Sequence, residues 1–419
     1  MRKLKNILIL AGGDSTRFWP LTDKVMFSFL GKPLIKYIFD AVSPYGLRIV
    51  IVIHPSLINR VKEIFTNKAL VIPQLKTTLG MAGAVLTAKE VIKDEEVLII
   101  NGSDLFDFSF LSDFVKKIKD HNQLIITTKE ITNYFPGGYL KFDNKGQLMA
   151  IVEKPKPDKR PSALVKLVVD YFSNFNLLTK KINKFKEIND DYYEKGITAL
   201  IKEVKKIDVF CYRGYFYSLK YPWHVLNLNR YFLSTIKKNY FGKNVFLSKK
   251  ATIIEPVYFE DGVKVGDYAK VVGPSFVGKN SVIADYTLVN QSHIGTDCLI
   301  GGYSEVTRSY LGDKVFLHRN YVGDSVIADN VLFGAGAVLA NFRFDGKEIR
   351  SKVGKEKVNT GFLKIGAIIG QGSIIGINAT LLPGVKIGKK TFIGPDQLVK
   401  EDIDDKKFFF NNQLRENIL

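Results

Sequence analysis

Two different periods of apolar residues divide this chain near position 245. Before that point, apolar runs alternate with stretches in which apolar residues recur every three to four positions. This alternation predicts buried strands of a parallel sheet separated by helices. After that point, aliphatic residues recur every six positions, and many of them are followed by glycine. The six-residue spacing predicts a parallel β-helix in which each aliphatic side chain points into a narrow core.

The first part of the chain is predicted to be a doubly wound α/β domain, which binds ligands at the carboxyl ends of its strands. A hairpin with its turn at "DNKG" is expected after position 138. A basic, aromatic helix is expected to lead away from the domain. The predicted strands lie at 6–10, 48–53, 69–73, 96–101 and 123–128, and the predicted helices lie at 32–42, 57–65, 82–92 and 110–120.

The hexapeptide period of the second part is interrupted in two places. A step of five separates Leu317 from Val322, and residues 341–361 form a loop expected to leave the β-helix. The predicted domain boundaries are 1–222 for the α/β domain, 223–244 for a linker helix, 245–403 for the β-helix and 404–419 for a C-terminal tail. The predicted inward residues include Val265, Val271, Val277, Ile283 and Val289, and then Ile369, Ile375, Leu381, Ile387, Ile393 and Val399.

Composition narrows the class of protein. The apolar fraction of 46% and the charged fraction of 25% are those of a soluble globular protein. The 61 Lys and Arg exceed the 42 Asp and Glu by 19, an excess that favours anionic partners. No basic block of the kind that binds nucleic acid occurs, and no apolar run is long enough to cross a membrane. Cys211 and Cys298 are interpreted as free thiols, so a cytoplasmic protein is expected, with no nucleic-acid or membrane partner.

A glycine pair and two cations follow the first predicted strand. The segment "LAGGDSTRFWPLT" contains Gly12, Gly13 and Arg17, and Lys24 comes shortly after it. Glycines let backbone N–H groups approach an anion, and fixed positive charges stabilise transferring phosphates. An ordinary turn between strand and helix needs a glycine, but not this combination. The segment therefore predicts a loop that holds the phosphates of a nucleotide.

With this loop at its start and hexapeptide repeats at its end, the chain resembles the bifunctional N-acetylglucosamine-1-phosphate uridylyltransferase/glucosamine-1-phosphate acetyltransferase family, including its archaeal-type relatives. The resemblance implies a Rossmann-like nucleotidyltransferase domain, followed by a left-handed β-helix that forms a homotrimer. It implies transfer of a nucleotidyl group from a nucleoside triphosphate to a sugar 1-phosphate, with Mg²⁺. It also implies acetylation of an amino sugar 1-phosphate from acetyl-CoA.

The family's motifs assign roles to particular residues of the first domain. The segment "PQLKTTLGMAGA" is similar to the family's base-reading segment, and "EKP" matches its sugar-phosphate motif. The implied residues are Leu10, Ala11, Gly12 and Gly13 at the nucleotide, Arg17 and Lys24 as catalytic phosphate binders, Gln74 and Gly80 at the base, and Gly138, Glu153 and Lys154 at the sugar phosphate.

The implied metal site departs from the family pattern. The family usually has Gly-Asp after the fourth strand, whereas this chain reads "NGSDLFD", with Ser103 at the aligned position and Asp104 one residue later. Ser218 falls where a second metal-binding Asp or Asn is common. Because Mg²⁺ often uses one or two carboxylates and takes its other ligands from water and phosphates, Asp104 is assigned as the metal ligand.

A second site is implied in the β-helix. In "FLHRNYVGDS", His318 occupies a slot that elsewhere holds Gly or Ala, so its imidazole points away from the core. His318 coincides with the family's acetyltransferase base, and Tyr321 and Asn341 coincide with residues that hold the acetyl acceptor. The alternative is an exposed histidine without a function. Arg308 lies near the family's phosphate-binding lysine, but the alignment needs a one-residue gap, so no role is assigned to it.

Two other functions are compatible with the sequence. The first is a monofunctional glucose-1-phosphate thymidylyl- or uridylyltransferase whose β-helix is inert. The second is a non-catalytic binding or regulatory subunit of the same architecture, for which Ser103 and Ser218 are the supporting residues.

Overall fold

The computed structural model of the protein describes residues 4–185 and 191–416. It separates into two compact units, Met1–Asp14 with Leu34–Ser218, and Ser15–Pro33 with Leu219–Leu419. The first is an α/β unit and the second is a parallel β-helix, which confirms the predicted fold class. The segment Ser15–Pro33 packs with the β-helix, although the predicted boundary placed it in the α/β domain. The last three residues of the predicted tail lie outside the described residues.

The α/β unit is built on a nine-stranded sheet whose centre is parallel. The central strands run in the order β4-β1-β2-β3 and are mostly buried; the first residue of β2 and the two ends of β3 are exposed, and Ile72 and Asn101 are half-buried. Burial of both sheet faces explains why these runs are almost continuously apolar. The strands are β1 (Asn6–Ala11), β2 (Arg48–Ile53), β3 (Leu70–Pro73), β4 (Val97–Asn101), β5 (Asp104–Phe106), β6 (Leu124–Glu130), β7 (Gly138–Phe142), β8 (Leu148–Glu153), β9 (Leu164–Phe172), β10 (Ile207–Cys211) and β11 (Phe216–Ser218).

The helices of this unit follow the predicted segments closely. The predicted helix at 82–92 is divided at Ala88, and two further helices occur after β9. The helices are α1 (Leu34–Val42), α2 (Ile58–Ile64), α3 (Gly80–Thr87), α4 (Lys89–Ile92), α5 (Leu111–Lys117), α6 (Phe175–Ile182) and α7 (Tyr192–Ile201).

One long antiparallel strand decides where the hairpin lies. β9 is inserted between β4 and β6 and runs antiparallel to both, so β6 does not pair with the parallel centre. The second half of β9 pairs with β4, through Val169 and Ile100, whereas its first half pairs with β7, through Val165 and Tyr139. The predicted hairpin is formed by β7 and β8. Its Gly138 end consequently lies next to the carboxyl edge of the parallel strands, where ligands bind in such sheets.

The second unit winds its short parallel strands into three sheets, called here the first, second and third faces. The predicted inward residues are buried, with exposures of 0 to 2%, which confirms the hexapeptide interpretation. The first face contains Tyr240–Phe241, Val257–Phe259, Ser275–Val277, His293–Ile294, Tyr310–Leu311, Val326–Ile327, Ile368–Ile369 and Lys386–Ile387. The second contains Phe246–Leu247, Lys264–Val265, Val282–Ile283, Leu299–Ile300, Phe316–Leu317, Leu332–Phe333, Ile374–Ile375, Phe392–Ile393, Lys407–Phe410 and Gln413–Glu416. The third contains Thr252–Ile254, Lys270–Val272, Leu288–Asn290, Glu305–Thr307, Tyr321–Gly323, Val338–Leu339, Thr380–Leu381 and Leu398–Val399.

Both predicted interruptions occur in the β-helix. The turn between Leu317 and Tyr321 is one residue shorter than the preceding turn, because Ile300 pairs with Leu317 while Glu305 pairs with Tyr321. The inserted loop leaves the β-helix and contains an antiparallel hairpin, Arg350–Val353 with Glu356–Asn359. Cys211 and Cys298 are free thiols, as expected. No helix in the described residues is long and apolar enough to cross a membrane.

The outer side of the first face is unusually apolar for a β-helix surface. Phe276, His293 and Tyr310 stack on successive strands, with ring centroids 4.8 Å and 4.5 Å apart, and all three side chains are buried. The segment Ser15–Pro33 and the helix α8 (His224–Ser234), which is the predicted linker helix, pack around this column. A second hydrophobic layer therefore lies outside the β-helix core.

His293 is expected to make the stability of the second unit depend on pH. Its Nδ1 lies 3.2 Å from the Leu311 carbonyl oxygen, and burial lowers the pKa of His293 to about 4. Since the unfolded chain binds a proton near pH 6.5, stability falls as pH decreases below that value, by about 2 kcal/mol at pH 5. Replacement of His293 by Phe should remove this contribution.

The measurement is urea unfolding at pH 7 and pH 5, followed by tryptophan fluorescence. Trp19 and Trp223 both belong to the second unit, so the signal reports on that unit. The control is His121→Phe, because His121 is exposed in the first unit. An H293F variant with the same pH dependence as the wild type would contradict the assignment.

Candidate active site

Gly12, Gln74 and Gly80 are brought together at the carboxyl edge of the sheet. A Cβ atom added to Gly12 would collide with Gln74 Oε1 and would lie 2.7 Å from Gln74 Cβ. The Gln74 amide donates hydrogen bonds of 2.9 Å to the carbonyl oxygens of Gly80 and Lys76. Gly80 has a φ of 52°, which is a backbone conformation that glycine adopts readily. Three residues predicted to bind one nucleotide are therefore in one packed contact.

The rest of the glycine segment is held by neighbouring strand ends. Leu10 and Ala11 are buried in β1, and a Cβ atom added to Gly102, after β4, would lie 3.0 Å from both the Leu10 oxygen and Ala11 Cβ. Gly13 is partly exposed. Asp14 Oδ1 lies 3.3 Å from His54 Nε2, after β2. The backbone around Gly13 is thus fixed on both sides by strand ends.

Asp104 and Ser218 face each other across a two-stranded antiparallel sheet. Asp104 opens β5, Ser218 ends β11, and the two residues are direct partners in the register. Directly opposed residues place their side chains on the same side of an antiparallel pair. Ser103 is the preceding residue, and its hydroxyl donates to Asn101 Oδ1 at 3.1 Å. The structure therefore places the predicted metal ligand, Asp104, opposite Ser218, which stands where a second metal-binding Asp or Asn was expected from the resemblance.

The predicted sugar-phosphate residues lie at the open end of the β7–β8 hairpin. A Cβ atom added to Gly138 would lie 3.2 Å from Glu153 Oε2 and 2.7 Å from Ile151 Cγ2, so a side chain there would collide with the opposite strand. Lys154 Nζ lies 3.5 Å from Glu153 Oε1. Lys154 also has a left-handed backbone, with a φ of 44°. The three residues form one group, and the Glu153–Lys154 contact is partly exposed.

A buried group of ionisable residues lies against this hairpin end, and sequence reasoning did not find it. Lys166 and Tyr193 both contact Asp170 Oδ2, at 2.6 Å and 2.7 Å, and all three side chains are buried. Glu194 follows on α7, and its Cγ would lie 3.6 Å from a Cβ atom on Gly138. Burial raises the pKa of Glu194 to about 8, with Lys166 opposing the shift and Glu153 adding to it. The raised pKa favours the neutral form of this buried carboxyl group, whose Oε2 has no hydrogen-bond partner among the described residues.

Arg17 and Lys24 belong to the second unit. Each belongs to a single turn of 3-10 helix, Thr16–Phe18 and Lys24–Met26, and the following residues form two paired short strands, Ser28–Phe29 and Lys32–Pro33. Arg17 is exposed and Lys24 is half-buried. The chain itself connects Arg17 to Gly13, four residues earlier.

The predicted acetyl-acceptor residues meet at a corner of the β-helix. Asn341 Nδ2 donates to the Tyr321 hydroxyl at 3.1 Å and to Asp324 Oδ2 at 2.6 Å. Arg308 forms two hydrogen bonds of 2.7 Å with the same carboxylate. Arg308 and Asp324 occupy equivalent corner positions on successive turns, because Thr307 pairs with Gly323. Arg308, to which the sequence assigned no role, therefore belongs to this group.

His318 lies on the shortened turn that leads into Tyr321. Its imidazole is exposed, as predicted, while its backbone N–H donates to Asn320 Oδ1 at 2.6 Å. The Asn320 side chain donates in turn to the carbonyl oxygens of Gly334 and Ala337, at 2.8 Å and 3.1 Å. The turn is therefore held rigidly while the imidazole remains accessible. The other histidine of the β-helix, His293, is buried and structural.

Comparisons with known proteins identify the family. The protein-family model described as "Nucleotidyl transferase" matches residues 6–215 of the chain. The chain is 32% identical to a protein of Sulfurisphaera tokodaii named "Bifunctional sugar-1-phosphate nucleotidylyltransferase/acetyltransferase", over 96% of this chain and 98% of the relative. The chain belongs to the nucleotidyl transferase family. The resemblance to the bifunctional members is confirmed over nearly its whole length.

The chain is also similar to a second curated protein and, more distantly, to a solved structure. The chain is 29% identical to "Bifunctional protein GlmU" of Methanocaldococcus jannaschii, over 96% of this chain and 97% of the relative. A solved structure of UDP-glucose pyrophosphorylase complexed with UDP-glucose covers 55% of this nucleotidyl transferase at 20% identity, with a TM-score of 0.48.

The donor set of the nucleotidyl transferase fits a metal that is shared with phosphates. No group of three or more His, Cys, Asp and Glu side chains within 4–185 and 191–416 is placed to hold a metal ion, so the described chain offers no closed metal cage. Asp104 supplies a carboxylate, and the opposed Ser218 supplies a hydroxyl. Mg²⁺ is commonly bound by one or two carboxylates together with water and substrate phosphates, and this pair fits that arrangement.

The contact between Gly12 and Gln74 predicts different effects for two neighbouring glycines. Gly12→Ala should destabilise the protein by about 1–3 kcal/mol, since rotation of the Gln74 amide does not relieve a contact that extends to Gln74 Cβ. Gly13→Ala is the matched control. Among the described residues, no heavy atom lies within 4 Å of an added Cβ there, so the expected change is below about 0.5 kcal/mol.

Urea unfolding followed by circular dichroism measures both effects. Nucleoside triphosphate binding by G12A should also be lost, because Gln74 must move. Equal stabilities of G12A and G13A would show that the contact does not hold the loop.

Proposed function

We propose that the protein transfers a nucleotidyl group from a nucleoside triphosphate to a sugar 1-phosphate, and that its β-helix acetylates an amino sugar 1-phosphate. The observation that carries this proposal is the similarity to a bifunctional nucleotidylyltransferase/acetyltransferase over 96% of the chain. The packed contact of Gly12, Gln74 and Gly80 supports the first activity. The polar corner of Tyr321, Asn341 and Asp324 supports the second.

In the first reaction, a phosphate oxygen of the sugar 1-phosphate attacks the α-phosphorus of the triphosphate, and pyrophosphate leaves. Gly12 and Gly13 allow the triphosphate to approach the backbone, and Arg17 and Lys24 neutralise its charge. Such chemistry depends mainly on positioning and charge stabilisation. Gln74 and Gly80 together recognise the base of the nucleotide. Its Oε1 accepts no hydrogen bond from the described residues, although it is buried.

The sugar phosphate is assigned to the hairpin end. Gly138 leaves space beside Glu153, and Lys154 provides a cation for the phosphate. The buried Glu194 lies beside Gly138, and its raised pKa, to which Glu153 contributes, limits the negative charge at this end of the hairpin. When bound on Asp104, Mg²⁺ would neutralise charge on the triphosphate.

In the second reaction, the amine of the sugar attacks the thioester carbonyl of acetyl-CoA. A C–N bond forms, the C–S bond breaks, and the thiol of CoA is released. His318 accepts the proton that the amine loses, a role for which an exposed imidazole is suited. Tyr321 and Asn341 hold the acceptor, while Arg308 holds Asp324 in place for Asn341.

The test of the proposed function is a panel of both reactions. Pyrophosphate release is measured with Mg²⁺ and each of UTP, dTTP, GTP, ATP and CTP against glucose, N-acetylglucosamine, mannose and galactose 1-phosphates. Acetyl transfer is measured as free thiol from acetyl-CoA with glucosamine and galactosamine 1-phosphates. Wild-type protein should turn over in both assays.

Two variants separate the sites. Asp104→Asn should lower pyrophosphate release by about 100-fold or more and leave acetyl transfer unchanged, because loss of a charge-stabilising group in phosphoryl transfer is costly. His318→Asn should have the opposite pattern. Acetyl transfer that survives H318N would favour an inert β-helix. Silence of folded wild-type protein in the nucleotide panel would favour a binding subunit.

We also propose that the protein is a cytoplasmic homotrimer that associates through its β-helix. The free thiols of Cys211 and Cys298 suit a reducing compartment. Tyr268, Tyr286 and Tyr303 form a stacked column with centroids 5.0 Å apart and side chains that are 53%, 50% and 67% exposed. An exposed apolar column of this kind favours a subunit contact.

Light scattering tests the assembly. The expected mass is three times the 47.3 kDa of the chain. Tyr286→Glu places a charge in the column and should reduce the mass toward that of one chain. Phe344→Glu, at a fully exposed side chain of the inserted loop, should not change it. A monomeric wild type would exclude the trimer.

A further inference from the structure

The segment that carries Arg17 and Lys24 is attached at one end to the last turns of the β-helix. The indole N–H of Trp19 donates a hydrogen bond of 2.8 Å to Asp405 Oδ1. Lys386 Nζ lies 4.9 Å from the centre of the Trp19 ring, which is a cation–π distance. Trp19 is two residues after Arg17 and five before Lys24, so this attachment lies between the two cations.

Lys386 is itself held from several directions. It is 3% exposed, its Nζ lies 3.1 Å from Asp402 Oδ2, and it donates to the carbonyl oxygen of Lys352 in the inserted hairpin. Burial lowers the pKa of Lys386, and Asp402 opposes the shift. The cation that faces Trp19 is therefore fixed in position by partners on both sides.

The other end of the segment is attached to the middle of the first face, at Tyr310. The Tyr310 hydroxyl donates a hydrogen bond of 2.8 Å to the Ser28 carbonyl oxygen, and the Phe27 ring lies 4.7 Å from the Tyr310 ring. Phe29 stacks on Phe232 of α8 at 4.8 Å. The segment is thus attached at Trp19 and at Phe27–Phe29, with Arg17 two residues before the first attachment and Lys24 between the two.

The segment has little order of its own. Its regular structure consists of two single turns of 3-10 helix and two paired strands of two residues each. Ser15 and Asp23, which precede the two turns, have left-handed backbones with φ values of 55° and 53°. Such conformations are unfavourable for residues other than glycine and persist where the surrounding structure imposes them. Contacts with the β-helix supply that surrounding structure.

Asp405 combines this contact with an ordinary structural role. At the corners of the β-helix, aspartates accept the backbone N–H of the preceding turn, as Asp313 does for Thr296 at 2.7 Å. Asp405 accepts the N–H of Lys389 in the same way, at 2.9 Å, and the Trp19 indole as well. Asp313 and Asp405 therefore share one capping role, and Asp405 has an additional one toward the segment.

We propose that Asp405 and Lys386, in the last turns of the β-helix, are positioning residues for nucleotidyl transfer, because they hold Trp19 and thereby Arg17 and Lys24. The β-helix would then be part of the machinery of the first reaction, in addition to any reaction of its own. This inference rests on the proposed function of Arg17 and Lys24. Charge stabilisation of transferring phosphates requires side chains placed within about 0.5 Å, and a loop without internal order does not provide that precision.

The test compares full-length variants in binding and in turnover. Trp19→Phe keeps an aromatic ring and removes the N–H donor. Asp405→Ala removes the acceptor, Asp405→Asn keeps a neutral acceptor, and Asp313→Ala is the matched control that loses a backbone cap alone. Affinity for tripolyphosphate with Mg²⁺ is measured by calorimetry, because this probe contacts the phosphate-binding residues without a base or sugar. KM and kcat for the active substrate pair and the rate of acetyl transfer are measured in parallel.

W19F and D405A are expected to weaken tripolyphosphate binding and raise the KM for the triphosphate by on the order of ten-fold, which corresponds to one hydrogen bond to a charged group. D405N should recover most of this loss, D313A should bind as the wild type does, and acetyl transfer should be unchanged in all four. Equal thermal stabilities of D405A and D313A would show that the difference in binding is not a general loss of folding.

The experiment distinguishes failure of the positioning role from failure of the proposed function. Wild-type binding and KM in both W19F and D405A, with an active wild type, would overturn the positioning role. A wild type that binds tripolyphosphate but turns over no substrate pair would overturn the proposed function, and weaker binding by D405A would still support the positioning role.

Discussion

The narrow core of the β-helix is the constraint on which the second unit depends. Each short strand places one or two side chains, mostly aliphatic, in the core, and these are buried along most of the solenoid and partly buried at Leu247 and Ile253 in its first turn. Polar residues, and most aromatic ones, therefore lie on the outer faces or at the corners. This constraint explains why Arg308, Asp324 and Asn341 form a column at one corner, and why His318 is accessible on a shortened turn. It also explains why apolar outward residues on the first face need a covering layer.

That covering layer includes the segment that carries Arg17 and Lys24, the residues proposed to bind phosphates. The segment Ser15–Pro33 covers the stacked rings of Phe276, His293 and Tyr310, and in return receives the order that its own short turns do not provide. A loop that binds phosphates benefits from being open to solvent, but an open loop is poorly ordered. Attachment at Trp19 and at Ser28 resolves this conflict, because Arg17, just before the first attachment, stays exposed, while Lys24, between the two attachments, is half-buried.

In the first unit, the predicted binding residues are held in place by close contacts between glycine backbone and neighbouring side chains. Gly12 lies against the Gln74 side chain, and Gly138 lies against Glu153 and Ile151, so in both places the absence of a Cβ atom permits the contact. The buried Lys166, Asp170, Tyr193 and Glu194 then set the charge beside Glu153. Ionisable groups are costly to bury unless they are paired. The requirement for tight packing alone therefore does not explain why these four ionisable residues are buried here.

The sequence by itself determined every feature that repeats locally or that forms a continuous motif. The inward residues of the β-helix follow a period of six, the step of five at Leu317 is visible as a break in that period, and the glycine pair follows its strand directly. The pairing of Gln74 with Gly80 lies within one short segment.

Only the tertiary structure decided the contacts between residues that are distant from one another in the sequence. Trp19 and Asp405 are 386 residues apart, Arg308 reaches Asp324 through the stacking of turns, and Lys166 and Glu194 meet because β9 and α7 both pack near one hairpin end. A single sequence records the chemical type of each of these residues but not its neighbours in space, and the neighbours decide which charges are buried, which are paired and which are held for a substrate.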